Sequence, residues 1–507
     1  MNFYTNFYTN IEAMASALSH EHAKTYGMRT PYGTHSLSLT NPTGDELMLN
    51  APIPAAAIAE IQEQTLQVLQ TTGVSFGTPE ALELFRRHGF QVEGSWVTIT
   101  PEQLHQALAA TPASFTLQGL QTSAVFGAGA TNMAACAGAM EICEAGCRRP
   151  ATSADFIRRL QLDALSPVIN IGYSNPFYVP ELAGEREAVQ KTALALRYNP
   201  KPLIGICYEE TAARQSLQLA RDFYGWESGY YLLSVANMVS PLQYTAESLG
   251  VLNAYAAYGQ PIVLSCSSIP GLTSPVTLSG TVVQNNAEIL AGLVYLQLLA
   301  PGLPVAYGNS TFGVDMRSGS TSAGAFEAAL LIPYTAALAR AYHLPSRITG
   351  SLTDAKLTDY QAGMETAVGL FYALASQVDF IFHACGGLDC LTSFSFEKYL
   401  LDEELILRLT HASGRDPLYG LKDSLLDIAA VREGASFLDS EQTLTEFRRE
   451  HYNPQLVNRE RLQQWQKNGS PSLKTKADAL LAQRLASYQQ PILAPAQQKL
   501  LDEALRC

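Results

Sequence analysis

No stretch of this chain approaches the roughly 20 consecutive apolar residues that a membrane-spanning helix needs, so a bilayer-embedded protein is not expected. Basic residues are scarce: 33 Lys and Arg stand against 46 Asp and Glu, a net charge of -13, with no basic run suited to a phosphate backbone. Nucleic acid is therefore not an expected partner. The start, MNFYTNFYTN, lacks the basic-then-apolar order of a secretory signal, and the chain reads as cytoplasmic. Cysteines are few and scattered (Cys136, Cys143, Cys147, Cys207, Cys266, Cys385, Cys390 and Cys507), which argues against a disulfide framework. A Ser-His-Asp hydrolase lacks its G-x-S-x-G elbow, and no glycine-rich phosphate loop joins a strand to a helix.

What the chain has is apolar mass and regular alternation. Hydrophobic residues make up 47% and charged ones 16% of 507 residues, which fits an α/β enzyme with a large core. Residues 1–50 carry no sustained periodicity and are expected to form an N-terminal arm. Residues 51–138 read as a leading region of helices and short strands. Ile58, Ile61, Thr65, Val68 and Leu69 recur at helical spacing up to Gly73, and Thr78-Pro79 and Thr100-Pro101 are capped helix starts. From Ala139 short β-favouring runs alternate with longer helical patterns. The runs begin near Ala139, Val168, Lys201, Tyr231, Pro261, Pro304, Arg347 and Asp379. Eight such units predict a closed parallel (β/α)8 TIM barrel over residues 139–410. Residues 411–507 turn to charged helices without strands, a helical extension serving as a cap or an oligomer contact.

In such a barrel the residues following each strand line the catalytic face. By topology these are Tyr173, Asn175, Tyr208, Glu209, Asn237, Ser265 to Ser268, Tyr307, Asn309, Thr353, Asp354 and His383. Aromatic and neutral polar groups dominate, a lining suited to a cation or zwitterion. The densest polar run, SLTDAKLTDYQAGME, follows the seventh strand and holds Asp354, Lys356, Gln361 and Glu365. Plainer roles exist for each: Asp354 and Lys356 pair across a loop, Gln361 caps a helix with Thr358, and Glu365 is a solvated surface group. Glu327, in a helix first turn, is placed for the macrodipole. Arg317, with Asp315 in the Gly/Ser-rich loop after the sixth strand, is either half of a surface ion pair or a bidentate site for a carboxylate. His383, Cys385 and Cys390, with Cys143 and Cys147, form a rival zinc constellation, although their spacing fits no common closed site.

Several segments together resemble the trimethylamine methyltransferase family of corrinoid-dependent methyltransferases. They are SSIPGLTSPVTLSG (Ser267 to Gly280), YGNSTFGVDMRSG (Tyr307 to Gly319), LTDAKLTDYQAGME (Leu352 to Glu365) and FEKYLLDEE (Phe396 to Glu404). LQTTGVSF, PEALELF and FRREHYNPQLVNRERLQQW add to them. The resemblance spans about residues 55 to 500 and implies the same barrel. It further implies methyl transfer from a methylated amine to the Co(I) of a corrinoid, a cobalamin-type cofactor carried by a separate partner protein. No tightly bound metal is implied in this chain. The trimethylamine branch carries pyrrolysine near the seventh strand end, in the region of Gly350 to Thr353; this sequence has none, and so resembles members that demethylate quaternary amines such as glycine betaine or carnitine. A quaternary nitrogen leaves as a neutral amine and needs no such activation.

On that reading an aromatic box of Tyr307, Phe312, Tyr360 and Phe382, with Tyr173 and Tyr208 in reserve, would hold the ammonium. Arg317, helped by Asn237 or His383, would bind a carboxylate. Asp354 and Glu365 would supply a negative field or orient Lys356 and Gln361, with Asp354, Lys356 and Glu365 as the catalytic group. The alternatives are a trimethylamine-type methyltransferase without pyrrolysine, a zinc-dependent barrel enzyme, and an inactive ligand-binding homologue. The helix-rich additions are compatible with a homo-oligomer.

Overall fold

The computed structural model describes residues 53–506 other than 227 and 414, so the arm expected over residues 1–50 lies outside the described residues. Eight strands run parallel in chain order around one sheet: β1 (Asn132–Met133), β2 (Gly172–Tyr173), β3 (Leu203–Ile204), β4 (Leu232–Asn237), β5 (Ile262–Cys266), β6 (Val305–Asn309), β7 (Ser346–Thr349) and β8 (Phe380–Phe382). β8 returns to β1 through the pairs Phe380–Asn132 and Ile381–Met133. The last seam, between β1 and β2, closes through the Met133 carbonyl, which accepts from the Asn170 and Ile171 amides at 3.1 Å each. A helix follows each strand: α1 (Ser153–Leu165), α2 (Glu187–Tyr198), α3 (Glu210–Tyr224), α4 (Ala246–Ala257), α5 (Leu278–Leu299), α6 (Phe326–Ala341), α7 (Tyr360–Ala375) and α8 (Phe396–Ala412). The fold is the (β/α)8 barrel expected from the alternation.

One strand differs from its expected place. The run at Ala139 does not open the barrel; it leads into a hairpin, Glu141–Glu144 with Cys147–Pro150, on the strands' C-terminal side. β1 lies earlier, in the small-residue sequence TNMAACAGA, which has little β propensity of its own. Its partner β8, far away in sequence, makes it a strand.

Strand alternation sorts the two faces. Ile171, Ile204, Leu233, Val263, Ala306 and Phe380 point inward, whereas Leu203, Leu232, Leu264, Val305 and Ile348 pack under the helices. The floor of the barrel is closed by a hairpin, Phe115–Gln118 with Ser123–Phe126, whose Phe126 ring meets Phe380 at 5.6 Å. The interior is therefore reached from the C-terminal mouth. α5 is buried along most of its 22 residues because the leading helix Ala55–Thr71 covers the face turned away from the strands. Gly73, just beyond that leading helix, has φ +74°, and a side chain there would overlap the Val97 carbonyl.

The charged segment FEKYLLDEE forms the first half of α8 and is largely buried. Lys398 Nζ donates to Asp402 at 2.7 Å and Thr366 at 3.0 Å, and Asp402 takes the Gly386 N–H at 2.8 Å. Tyr399 donates to Asp163 at 2.9 Å, itself paired with buried Arg159 at 2.9 Å. These charges lace the loops behind the mouth to the helix layer. Beyond α8 the longer helices are α9 (Leu421–Ala430), α10 (Glu441–Glu450), α11 (Leu473–Ala486) and α12 (Pro495–Leu505), with a short one at Leu462–Lys467; α11 packs on α8 and α1, α12 on α2 and α3. Among the described residues no helix is long and apolar enough to cross a membrane.

Candidate active site at the barrel mouth

The strand register assembles a row of inward positions. Asn237 pairs with Ser265, Ser265 with Gly308, Gly308 with Arg347, and Arg347 with Phe380. Gly308 puts no side chain into this row, and a Cβ there would overlap the Leu264 carbonyl. Arg347 uses the space. Its guanidinium crosses β6 to donate from Nη1 to Ser265 at 2.9 Å, to the Asn309 carbonyl at 3.0 Å and to Ser310. Arg347 is buried inside the barrel, whereas its place in the sequence marks only the start of a strand. The available signal was one charged residue inside the β-favouring run SRIT. At the other end of the row, the Asn237 Oδ1 is buried and accepts no hydrogen bond among the described residues.

Above this row sit the rings. Phe382 is T-shaped to Tyr173 at 5.7 Å, carries the Arg347 guanidinium 5.2 Å from its centroid, and stacks on His383 at 3.9 Å. Tyr173 in turn contacts Cys207 Sγ at 3.4 Å. His383 holds φ +58°, and its Nδ1 lies 3.3 Å from the Ala137 N–H, which donates to it. Burial, reinforced by the Arg347 and Arg159 charges, pushes the His383 pKa well below its ordinary value, so the ring is neutral. Burial also raises the Cys136 thiol to about 12 and Cys385 well above its usual range, so neither is a thiolate.

The polar run after β7 braces the rim. The Asp354 carboxylate accepts from the Ser322 hydroxyl and from the Ala323 and Gly324 amides at 2.7 and 3.3 Å, which anchors the hairpin Gly313–Asp315 with Ser320–Ser322. Glu365 accepts from Thr353 Oγ1 at 2.5 Å, the Asp354 N–H at 2.8 Å and Gln361 at 2.9 Å. A side chain at Gly324 would overlap Glu365, which explains the glycine. Lys356 donates to the Asp354 carbonyl at 2.7 Å and pairs with Asp389 at 2.8 Å, and Asp389 also pairs with Arg148 at 2.7 Å. Burial works against the Asp389 carboxylate, yet the Lys356 and Arg148 hydrogen bonds outweigh it and hold the pKa below its usual value. Asp359, not Thr358 with Gln361, caps α7.

The four rings proposed as a box are not brought together. Tyr307 points away from the interior, and its hydroxyl donates to Asn286 of α5 at 3.0 Å. That direction follows from alternation: Ala306 and Gly308 take the crowded inner face, so Tyr307 must take the outer one. Phe312 is buried in the main apolar core and not in the interior-facing cluster that holds Phe382 and Tyr173, and Tyr360, the first residue of α7, is 85% exposed. Only Phe382 of the four faces the interior. Arg317 lies at the tip of the hairpin after β6, its side chain 84% exposed, and grips Asp315 by two contacts of 3.1 Å. That pairing, with Arg317 as its main cause, lowers the Asp315 pKa to about 2. Among the described residues no three His, Cys, Asp or Glu side chains converge to hold a metal ion, so the zinc constellation finds no cage there.

Comparison with known proteins meets this geometry. Residues 34–506 match the trimethylamine methyltransferase (MTTB) family. The glycine betaine methyltransferase of Desulfitobacterium hafniense (strain Y51) is 33% identical over 449 residues, covering 86% of this chain and 93% of that protein. The proline betaine:corrinoid methyltransferase of Eubacterium limosum is 32% identical over 468 residues, 88% and 95% of the two chains. The L-carnitine:corrinoid methyltransferase of the same organism is 30% identical over 464 residues, again 88% and 95%. A match over nearly the whole described length, on a closed barrel with a polar row inside it, has one reading: the chain belongs to the trimethylamine methyltransferase family.

Proposed function

We propose that this protein takes a methyl group from a quaternary amine bearing a carboxylate, a betaine, and passes it to the Co(I) of a corrinoid held by a separate partner protein. Membership in the family and the betaine and carnitine activities named for its relatives support the reaction class. The observation that carries the choice of a zwitterion is Arg347, a cation inside the barrel, in register with Ser265 and Asn237. A simple tetraalkylammonium would be repelled by that charge. A betaine would set its carboxylate toward Arg347 and Ser265 and its ammonium toward the ring of Tyr173, a contact worth about 0.5 to 2 kcal/mol, with Phe382 backing the guanidinium.

The corrinoid, when its carrier docks, supplies the nucleophile and receives the methyl group. The electrons of the broken C–N bond stay with nitrogen, which leaves as a neutral tertiary amine, so no proton is moved. Neutral His383 and the protonated thiols of Cys136 and Cys385 suit that chemistry. The chain's task is to aim one methyl at the mouth and to exclude water; in-line positioning contributes up to roughly 7 to 11 kcal/mol in good cases. Rings are better than a carboxylate for this purpose, because the nitrogen loses its charge in the transition state and a strong contact would stabilise the ground state more. Asp354, Glu365, Lys356 and Gln361 act through the rim, holding loop and hairpin in place around the substrate.

The test is spectral. Purified protein with reduced free cobalamin is given glycine betaine, proline betaine, carnitine, tetramethylammonium or trimethylamine in turn. Loss of the Co(I) absorption with one or more of the carboxylate-bearing substrates is expected. Reaction with trimethylamine or tetramethylammonium alone would overturn the reading.

A further inference from the structure

The segment after α8 is built inside out. α9 and α10 contain no buried residue. Between Leu418 and Phe447 ten large apolar side chains, Tyr419 aside, are exposed, from 42 to 79%. They are not scattered: Leu421, Leu425 and Ile428 fall at i, i+4 and i+7 on one face of α9, and Leu444 and Phe447 at i and i+3 on α10. The two helices meet through polar groups instead. Ser424 donates to Gln442 at 2.9 Å, Gln442 to the Gly420 carbonyl at 2.9 Å, and Tyr419 to Glu446 at 3.0 Å. The pair is thus closed by hydrogen bonds on its inner side, and its apolar side faces outward.

We infer that this arm is the contact through which two copies of the chain associate. The exposed side chains, at about 100 Å² each, present on the order of 1,000 Å² of apolar surface, while a stable interface needs about 800 Å² per partner. Isolated surface apolar residues need no explanation, but so many within thirty residues do. The flanks carry both signs, Lys422, Arg432 and Arg448 alongside Asp423, Asp427 and Glu433, as a surface that must complement itself across a two-fold axis requires. α8 starts beside the mouth and runs back antiparallel to the strands, so the arm leaves its far end, on the floor side of the barrel. The corrinoid must reach the mouth, and this surface remains available to a second copy while it does. The inference stands independently of the substrate assignment.

Sedimentation velocity of the full chain at about 10 to 100 µM, above the micromolar upper end of dissociation constants for interfaces of this size, tests it. The wild type is expected to sediment at twice the 54.9 kDa chain mass, or at a higher even multiple. Leu425→Glu combined with Leu438→Glu, both at exposed positions, should halve that mass with an unchanged circular dichroism spectrum. Ile492→Glu, equally exposed but outside the arm, should leave it intact. A monomeric wild type would overturn the inference and assign the face to another segment or a different partner. So would an arm variant that keeps the wild-type mass.

Discussion

Replacing Arg347 by Met removes the charge inside the barrel while nearly keeping its volume. For a betaine whose carboxylate sits about 4 Å from the guanidinium, an effective dielectric near 20 gives about 4 kcal/mol of attraction. The ammonium end, about 7 Å away, feels a repulsion of roughly 2 kcal/mol from the same charge. The net, about 2 kcal/mol, predicts a dissociation constant for glycine betaine about 30-fold weaker in Arg347→Met. Tetramethylammonium feels only the repulsion, so its binding should be unchanged or tightened. Opposite responses to one substitution are hard to obtain from misfolding. The free protein also loses the donor to Ser265, Ser310 and the Asn309 carbonyl, which lowers stability by about 1 to 3 kcal/mol. Calorimetric titration without cobalamin separates binding from chemistry, and a thermal melt monitors the fold. Equal weakening of both ligands would refute the reasoning, since Arg347 would then act only by shaping the barrel.

The other expectations follow from single contacts. His383 is neutral when folded, with a pKa below the ordinary 6.5, so the unfolded chain gains a proton that the native one refuses as pH falls through that value. Native stability should therefore fall below pH 6.5 by up to about 1.4 kcal/mol per pH unit relative to His383→Asn, read from melts between pH 5 and 8; a pH-independent difference would contradict the burial assigned to it. Glu365→Ala leaves Thr353 and the Asp354 N–H without their acceptor, at about 1 to 3 kcal/mol each, so hydrogen exchange over residues 313–324 and 352–360 should quicken while the rest holds. Unchanged exchange there would show that the rim is held by other contacts. Arg317→Ala should leave betaine affinity as it was, because its side chain lies at an exposed tip; a large loss would bring that hairpin into the site. Tyr307→Phe should cost about 1 kcal/mol of stability through the lost bond to Asn286, and weakened ligand binding would put the ring back into the pocket.

Seven of the eight strand runs and the helices between them were legible because each carries its own periodic pattern and stop signals. β1 was not, since Asn132–Met133 is two residues of small-residue sequence that pairs with a strand some 250 positions later. The residues at the strand ends were legible as positions but not as directions. Tyr307 and Asn237 both sit near a strand's C-terminal end, yet only the register shows that one faces α5 and the other the interior. Arg347 escaped for the same reason: a charge in a strand is visible in sequence, but the space left for it by Gly308 on the neighbouring strand is not.

The burial of α5 on both sides has a consequence for how this protein can be taken apart. Its strand-facing side belongs to the barrel and its other side to the helix Ala55–Thr71, with Asn286 bonded at once to Thr65, Tyr307 and Tyr342. The leading region therefore cannot be cut away as a removable module. A chain shortened to begin at the barrel would expose an apolar helix in the middle of its own wall, and the region and barrel should melt as one cooperative unit.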